Sequence, residues 1–211
     1  MAARASPAYL VAAGDNAYPL CSGTLIGRPT DCSYVKYDLC GQGNLQPFVT
    51  FQVMRDALNA TGRPMLYSCE PQQLRGDPIE WPPYISNMFR IAADMGAYYG
   101  LFTGDALLSN AWVNVAEQGG WTDSGYLEVG NVPGMVNISM SRTQFALWCI
   151  VKTNLLIAAD IRKMNSSDPY LDILLNKELI AISQVRTLTC ATYHRELLEE
   201  MNGIYARHVP P

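Results

Sequence analysis

Lys36 and Asp38 stand two residues apart in a short run of strand-forming residues, YVKYDLC at 34–40. Alternation along an extended chain sends Val35, Tyr37 and Leu39 to one face, and Lys36 and Asp38 to the other. A lysine and an aspartate so placed are costly to bury unless they pair. A cation beside a carboxylate favours the ionised acid. A held, ionised carboxylate is what a retaining glycosidase needs as its nucleophile. A structural ion pair at the rim of a sheet accounts for the same two residues.

Asp38 is one of five acids that each follow a short apolar run. Residues 9–13 precede Asp15, 34–37 precede Asp38, 64–68 precede Glu70, 120–121 precede Asp123, and 155–159 precede Asp160. Helical patterns lie between these runs. Phe48, Phe51, Met54 and Leu58 recur every three or four residues over 47–61; a second pattern covers 137–153; a third, with Leu171, Leu174, Leu175, Leu179 and Ile182, covers 170–184. Strands alternating with helices predict a parallel sheet with crossover helices. A carboxylate after each strand is what a (β/α) barrel shows at its C-terminal face. Taken singly, each acid is explained as a solvated group or a helix cap; five in series point to the barrel. One connection does not fit a complete barrel. Residues 22–33 between Cys21 and Tyr34 contain Gly23, Gly27 and Pro29 and have no helical period, whereas a parallel crossover needs a dozen or more residues and usually a helix.

Composition narrows the partners. With 49% hydrophobic and 16% charged residues in 211, the chain is suited to a packed core rather than to disorder. Its 15 Lys+Arg against 19 Asp+Glu give a net charge of −4, which argues against wrapping nucleic acid or docking on anionic lipid. No apolar run reaches the roughly 18–20 residues that span a bilayer. Six cysteines without a CxxC pair, and only two histidines, make a structural zinc site an unsuitable reading. Three sequons, at Asn59, Asn137 and Asn165, lean towards a secretory route, although the apolar stub at 9–13 makes no convincing signal peptide.

The strand YVKYDLC resembles the nucleophile strand of the family 27 glycoside hydrolases, the α-galactosidases and α-N-acetylgalactosaminidases. The resemblance runs in order through ALNATGRPMLYSCE (57–70), SNMFRIAAD (86–94), GGWTDSGYLEVGN (119–131), RTQFALW (142–148), NLLIAADIR (154–162) and NKELIAISQ (176–184). It implies a TIM barrel acting on terminal α-D-galactosides with retention, with an α-galactoside oligosaccharide as partner and no metal or cofactor. By resemblance Asp38 is the nucleophile, Lys36 binds sugar hydroxyls beside it, Glu70 lies at the C-2 side of the sugar, and Arg90 stands near the acid/base and the 2-hydroxyl. A carboxylate at Glu70 resembles the galactosidases rather than the N-acetylgalactosaminidases. Asp15 and Asp160 match acidic positions after the third and eighth barrel strands, Trp121 lies beside the pocket strand where it could touch sugar, and Cys21 and Cys40 fall on a family disulfide. Extracellular location follows from the same resemblance.

The departures are specific. The family's acid/base is the second acid of WNDPD, and here that position is Gly125, which cannot protonate a leaving group. Asp123, two residues earlier, is the candidate replacement; along a strand it stands on the same side but roughly 6–7 Å from that position, so it reaches the roughly 5–5.5 Å from the nucleophile carboxyl that retention requires only if the loop moves. Nothing corresponds to the first two strands, and residues 185–211 resemble neither the barrel's end nor the family's β-sandwich. The expected fold is therefore α/β, an incomplete (β/α)8 TIM barrel of about six units without the C-terminal sandwich. Residues 1–184 form its barrel part and 185–211 a divergent helical or disordered tail, within which 185–201 could form one amphipathic helix. The expected function is an α-galactosidase-type hydrolase; the alternative is a non-catalytic relic or weak galactoside binder. The sequence fixes no oligomeric state.

Overall fold

A computed structural model describes residues 34–38, 46–71, 81–116, 119–131, 135 and 137–184. The strand expected at 9–13, the short connection at 22–33 and the tail helix at 185–201 lie outside these residues. The described chain divides into two compact units: one reaches Ile91 and includes 119–121, and the other holds the remainder from Ala92 onwards.

In the first unit, β1 (Tyr34–Tyr37) leads to α1 (Pro47–Ala60), then β2 (Leu66–Cys69), α2 (Pro82–Ile85) and β3 (Met88–Arg90). β1 and β2 are parallel with Lys36 opposite Ser68 and Tyr37 opposite Cys69; β2 and β3 are parallel with Ser68 opposite Met88 and Cys69 opposite Phe89. β4 (Trp121–Asp123) follows β3 in strand order, and the Trp121 N–H donates to the Asn87 carbonyl over 2.9 Å. Proline opens α1 at its first turn, where the missing N–H costs nothing. The helix buries Phe51, which meets Tyr37 edge-on at 5.6 Å and stacks on Trp81 at 5.8 Å. Full burial of such a ring contributes about 1.5–3 kcal/mol. The alternation read from YVKYDLC holds: Val35 and Tyr37 are buried with Tyr67, Cys69 and Phe89 on the helix side of the sheet.

The second unit packs α4 (Ile138–Ile150) against α3 (Tyr99–Ala111), α5 (Pro169–Leu174) and α6 (Lys177–Gln184). Phe102, Leu127, Val129, Phe145 and Trp148 form the heart of its core. Asn137 caps α4, its Oδ1 accepting the N–H groups of Ser139 (2.8 Å) and Met140 (3.4 Å). After α4 the chain turns through Lys152 in the left-handed region, with φ of 54°.

Three expectations need correction. The pattern over 170–184 is two helices, because the Asn176 side chain accepts the Leu179 N–H at 3.1 Å and caps a new start. The run at 155–159 contributes one bridging residue, Ile157, parallel to Leu127, rather than a strand. The helix over 137–153 is shorter, ending at Ile150. α3 has no counterpart in the periodic reading: Gly100 and Gly104 lower its helix propensity, and tertiary packing of Phe102 and Ala106 overrides that cost.

Candidate active site

The sheet of the first unit carries its polar side chains on one face and at one end. Asp38 directly follows β1, Glu70 directly follows β2, and Arg90 closes β3. All three strands are parallel, so these are the C-terminal ends, where barrel proteins place their chemistry. The register puts Lys36, Ser68 and Met88 in one row and Asp38, Glu70 and Arg90 in the next; the Glu70 N–H donates to the Tyr37 carbonyl over 3.0 Å and carries the ladder into that second row.

Glu70 joins the cluster. One of its carboxylate oxygens lies 2.5 Å from Lys36 Nζ and the other 3.5 Å from an Arg90 guanidinium nitrogen. The Glu70 and Arg90 side chains are each 1% exposed and Lys36 is 14% exposed. Two cations on one carboxylate is an arrangement a buried charge requires. Asp38 is half-buried on the same face as Lys36. Behind the sheet, burial pushes the phenols of Tyr37 and Tyr67 to higher pKa, so both remain neutral donors; the Tyr67 hydroxyl donates to the Phe51 carbonyl over 3.2 Å. A cavity of about 220 Å³ lies at the opposite, N-terminal ends of the strands, lined among others by Arg55, Arg63, Met65 and Asn87. It is remote from the charged cluster and belongs to the end that barrels use for stability.

In the second unit, Asp123 is buried and its Oδ1 accepts the Gly125 N–H at 2.8 Å. This local bond commits one of the two carboxylate oxygens to the turn. Gly125 has φ of 95°, a region L side chains avoid, and its carbonyl accepts the Trp148 indole N–H at 3.0 Å. The flanking backbone is held by polar side chains. Thr153 Oγ1 accepts the Ser124 N–H (2.8 Å) and donates to the Thr122 carbonyl (3.0 Å); Gln144 accepts from the Glu128 N–H (2.8 Å) and donates to the Tyr126 carbonyl (3.1 Å). Ser124 and Ser109 share a hydrogen bond of 2.8 Å between their hydroxyls. Sequence reasoning did not single out Ser109, Gln144 or Thr153; a buried glutamine in the apolar half of α4 was the available signal. Asp160 caps the 3-10 turn Ile161–Lys163, and Arg162 grips it through two nitrogens at 2.7 and 3.0 Å. The hydrogen bond from Arg162 pulls its carboxyl down to about 2. Trp121 is 38% exposed. Asp15, Cys21 and Cys40 lie outside the described residues. Among the described residues no three His, Cys, Asp or Glu side chains gather in a way that could hold a metal ion, and no helix is long and apolar enough to cross a membrane.

Parallel strands linked by helices, with ionic side chains gathered at their C-terminal ends, fit a protein of the (β/α)-barrel class. Residues 29–185 match the alpha galactosidase A family, and the chain belongs to that family. It is 40% identical over 152 residues to alpha-galactosidase 3 of Arabidopsis thaliana, covering 72% of this chain and 33% of that protein. It is 32% identical over 152 residues to an alpha-galactosidase of Oryza sativa, covering 72% of this chain and 35% of the relative. The chain thus spans about a third of the length of these curated relatives. Among solved structures, it superposes on an α-galactosidase of Saccharomyces cerevisiae with a TM-score of 0.64 and 26% identity, covering 74% of this chain and 39% of that one. It superposes on alpha-galactosidase I of Mortierella vinacea with a TM-score of 0.64 and 28% identity, covering 75% and 45%. The fold is α/β, part of a TIM barrel.

Proposed function

We propose that the chain carries the nucleophile side of a retaining α-galactosidase site acting on terminal α-D-galactosides of oligosaccharides. Asp38 attacks the anomeric carbon, the bond to the leaving oxygen breaks, and a galactosyl ester forms on the carboxylate. Water then hydrolyses that ester with net retention. Lys36, Glu70 and Arg90 hold sugar hydroxyls, with Asp15, Asp160 and Trp121 as further substrate contacts and Asp123 as the acid/base candidate. A Cys21–Cys40 disulfide and extracellular location complete the reading, with residues 1–184 as the barrel part and 185–211 as a distinct tail. The observation that carries it is the cluster at three successive strand ends, in which Glu70 bridges Lys36 and Arg90 on the face that Asp38 shares.

A second reading is a galactoside binder without turnover. Gly125 at the acid/base position favours it, as does the hydrogen bond that ties Asp123 to the Gly125 N–H. General acid catalysis is worth about 10²–10⁴-fold. An aryl α-galactoside separates the two readings, because its leaving group needs little protonation. Hydrolysis by the wild-type chain that disappears in Asp38→Asn, with near-UV circular dichroism unchanged, supports the enzyme. A folded chain that binds galactose yet releases no phenol supports the binder. A folded chain that does neither refutes both.

A further inference from the structure

We propose that Asn165 is an N-glycan acceptor; the proposal rests on the secretory part of that reading but needs no working galactosidase site. The sequon Asn165-Ser166-Ser167 forms the exposed turn between the 3-10 turn and α5, and all three residues are exposed. Asn165 Oδ1 accepts the Ser167 N–H at 2.9 Å, and the Asn165 carbonyl accepts the Asp168 N–H at 2.9 Å. This Asx turn spans residues i to i+2, so it needs no tertiary contact and is available to a nascent chain. It commits the amide oxygen to the backbone, leaves the Nδ2 hydrogens for reaction, and holds the amide beside the second serine of the sequon.

The other two sequons differ. Asn59 lies in the last turn of α1, and its carbonyl accepts the Gly62 N–H at 3.0 Å, a helical end that an acceptor loop would have to unwind. Asn137 is also exposed and has the same bond to residue i+2, but there the side chain serves as the N-cap of α4, accepting from Met140 as well. At Asn165 a glycan projects from a surface turn and displaces no packed side chain.

The donor is a lipid-linked oligosaccharyl diphosphate. The bond from Nδ2 to the sugar's anomeric carbon forms, and the carbon–oxygen bond to the diphosphate breaks. The lipid diphosphate leaves with the electron pair, and one Nδ2 proton passes to a base. The test expresses the full chain behind a cleavable secretory leader and collects the protease-protected lumenal pool together with the medium. Peptide N-glycosidase converts a glycosylated asparagine to aspartate, which peptide mass mapping reads. The expected result is Asn165 recovered as aspartate after that treatment, and loss of one glycan step in gel mobility for Asn165→Gln. An Asn165 peptide recovered unmodified from the translocated pool, or an Asn165→Gln chain with unchanged mobility, overturns the proposal. Because the acceptor turn is local, the readout does not require the chain to reach its final fold.

Discussion

Replacing Glu70 with glutamine removes one charge from between two cations. At an effective dielectric constant near 20, a unit pair at the 3.5 Å of the Arg90 contact interacts by about 5 kcal/mol. Glutamine keeps the shape and part of the hydrogen bonding. Lys36, at 14% exposure, can recover some hydration, but Arg90 at 1% cannot. The larger share of the cost is therefore expected at Arg90, and breaking a buried pair by removing one partner typically costs 3–5 kcal/mol. The lower end, about 3 kcal/mol, is expected here. With a urea m-value of about 2 kcal/mol/M, the unfolding midpoint of Glu70→Gln falls by about 1.5 M. Pairing Glu70→Gln with Arg90→Met removes the buried cation beside the neutralised side chain and should return part of the loss. A midpoint shift below about 0.5 M, roughly 1 kcal/mol at that m-value, refutes the claim that Glu70 holds the cluster. A double variant no more stable than the sum of its single variants refutes the assignment of the cost to Arg90.

Gly125→Asp supplies the acid that the proposed reading lacks, yet places a side chain at φ of 95°; a loss of about 1–2 kcal/mol in urea unfolding is expected, and unchanged stability would show that the backbone relaxes freely. Gly120→Ala would set a Cβ 2.5 Å from the Pro83 Cβ and 2.7 Å from its Cα, so a loss of about 1–3 kcal/mol should appear in the same assay, whereas a neutral result means that α2 moves aside. Asp160 has its carboxyl lowered from 3.8 to about 2, so its contribution to the 3-10 turn is present above pH 3.8 and fades as pH falls through about 2. Carbon-detected NMR titration of that carboxyl should give a midpoint well below 3.8, and a midpoint at or above 3.8 contradicts the grip by Arg162.

The strand YVKYDLC was legible because period-two alternation is a property of the extended chain itself, and burial of Val35 and Tyr37 follows that alternation directly. α1 was legible for the same kind of reason: Phe51 recurs at helical spacing, and Pro47 marks the start. β3 escaped pattern reading, since three residues, Met88 to Arg90, are too few to show a period. The single helix expected over 170–184 failed because the Asn176 cap competes with helix continuation, a local choice that apolar periodicity does not see. Gly125 stood out in the sequence only by its residue type, and not as a residue held at positive φ between the Asp123 carboxylate and the Trp148 indole.

By itself the sequence determined the alternation of Val35 and Tyr37 against Lys36 along β1 and the carboxylates that follow β1 and β2, because these depend only on backbone period and residue identity. Only the tertiary structure decided that Glu70 spans Lys36 and Arg90 and that the Gly125 carbonyl meets the Trp148 indole. Those contacts depend on register between strands distant in sequence and on turn geometry, and the parallel pairing of β1, β2 and β3 creates the first of them.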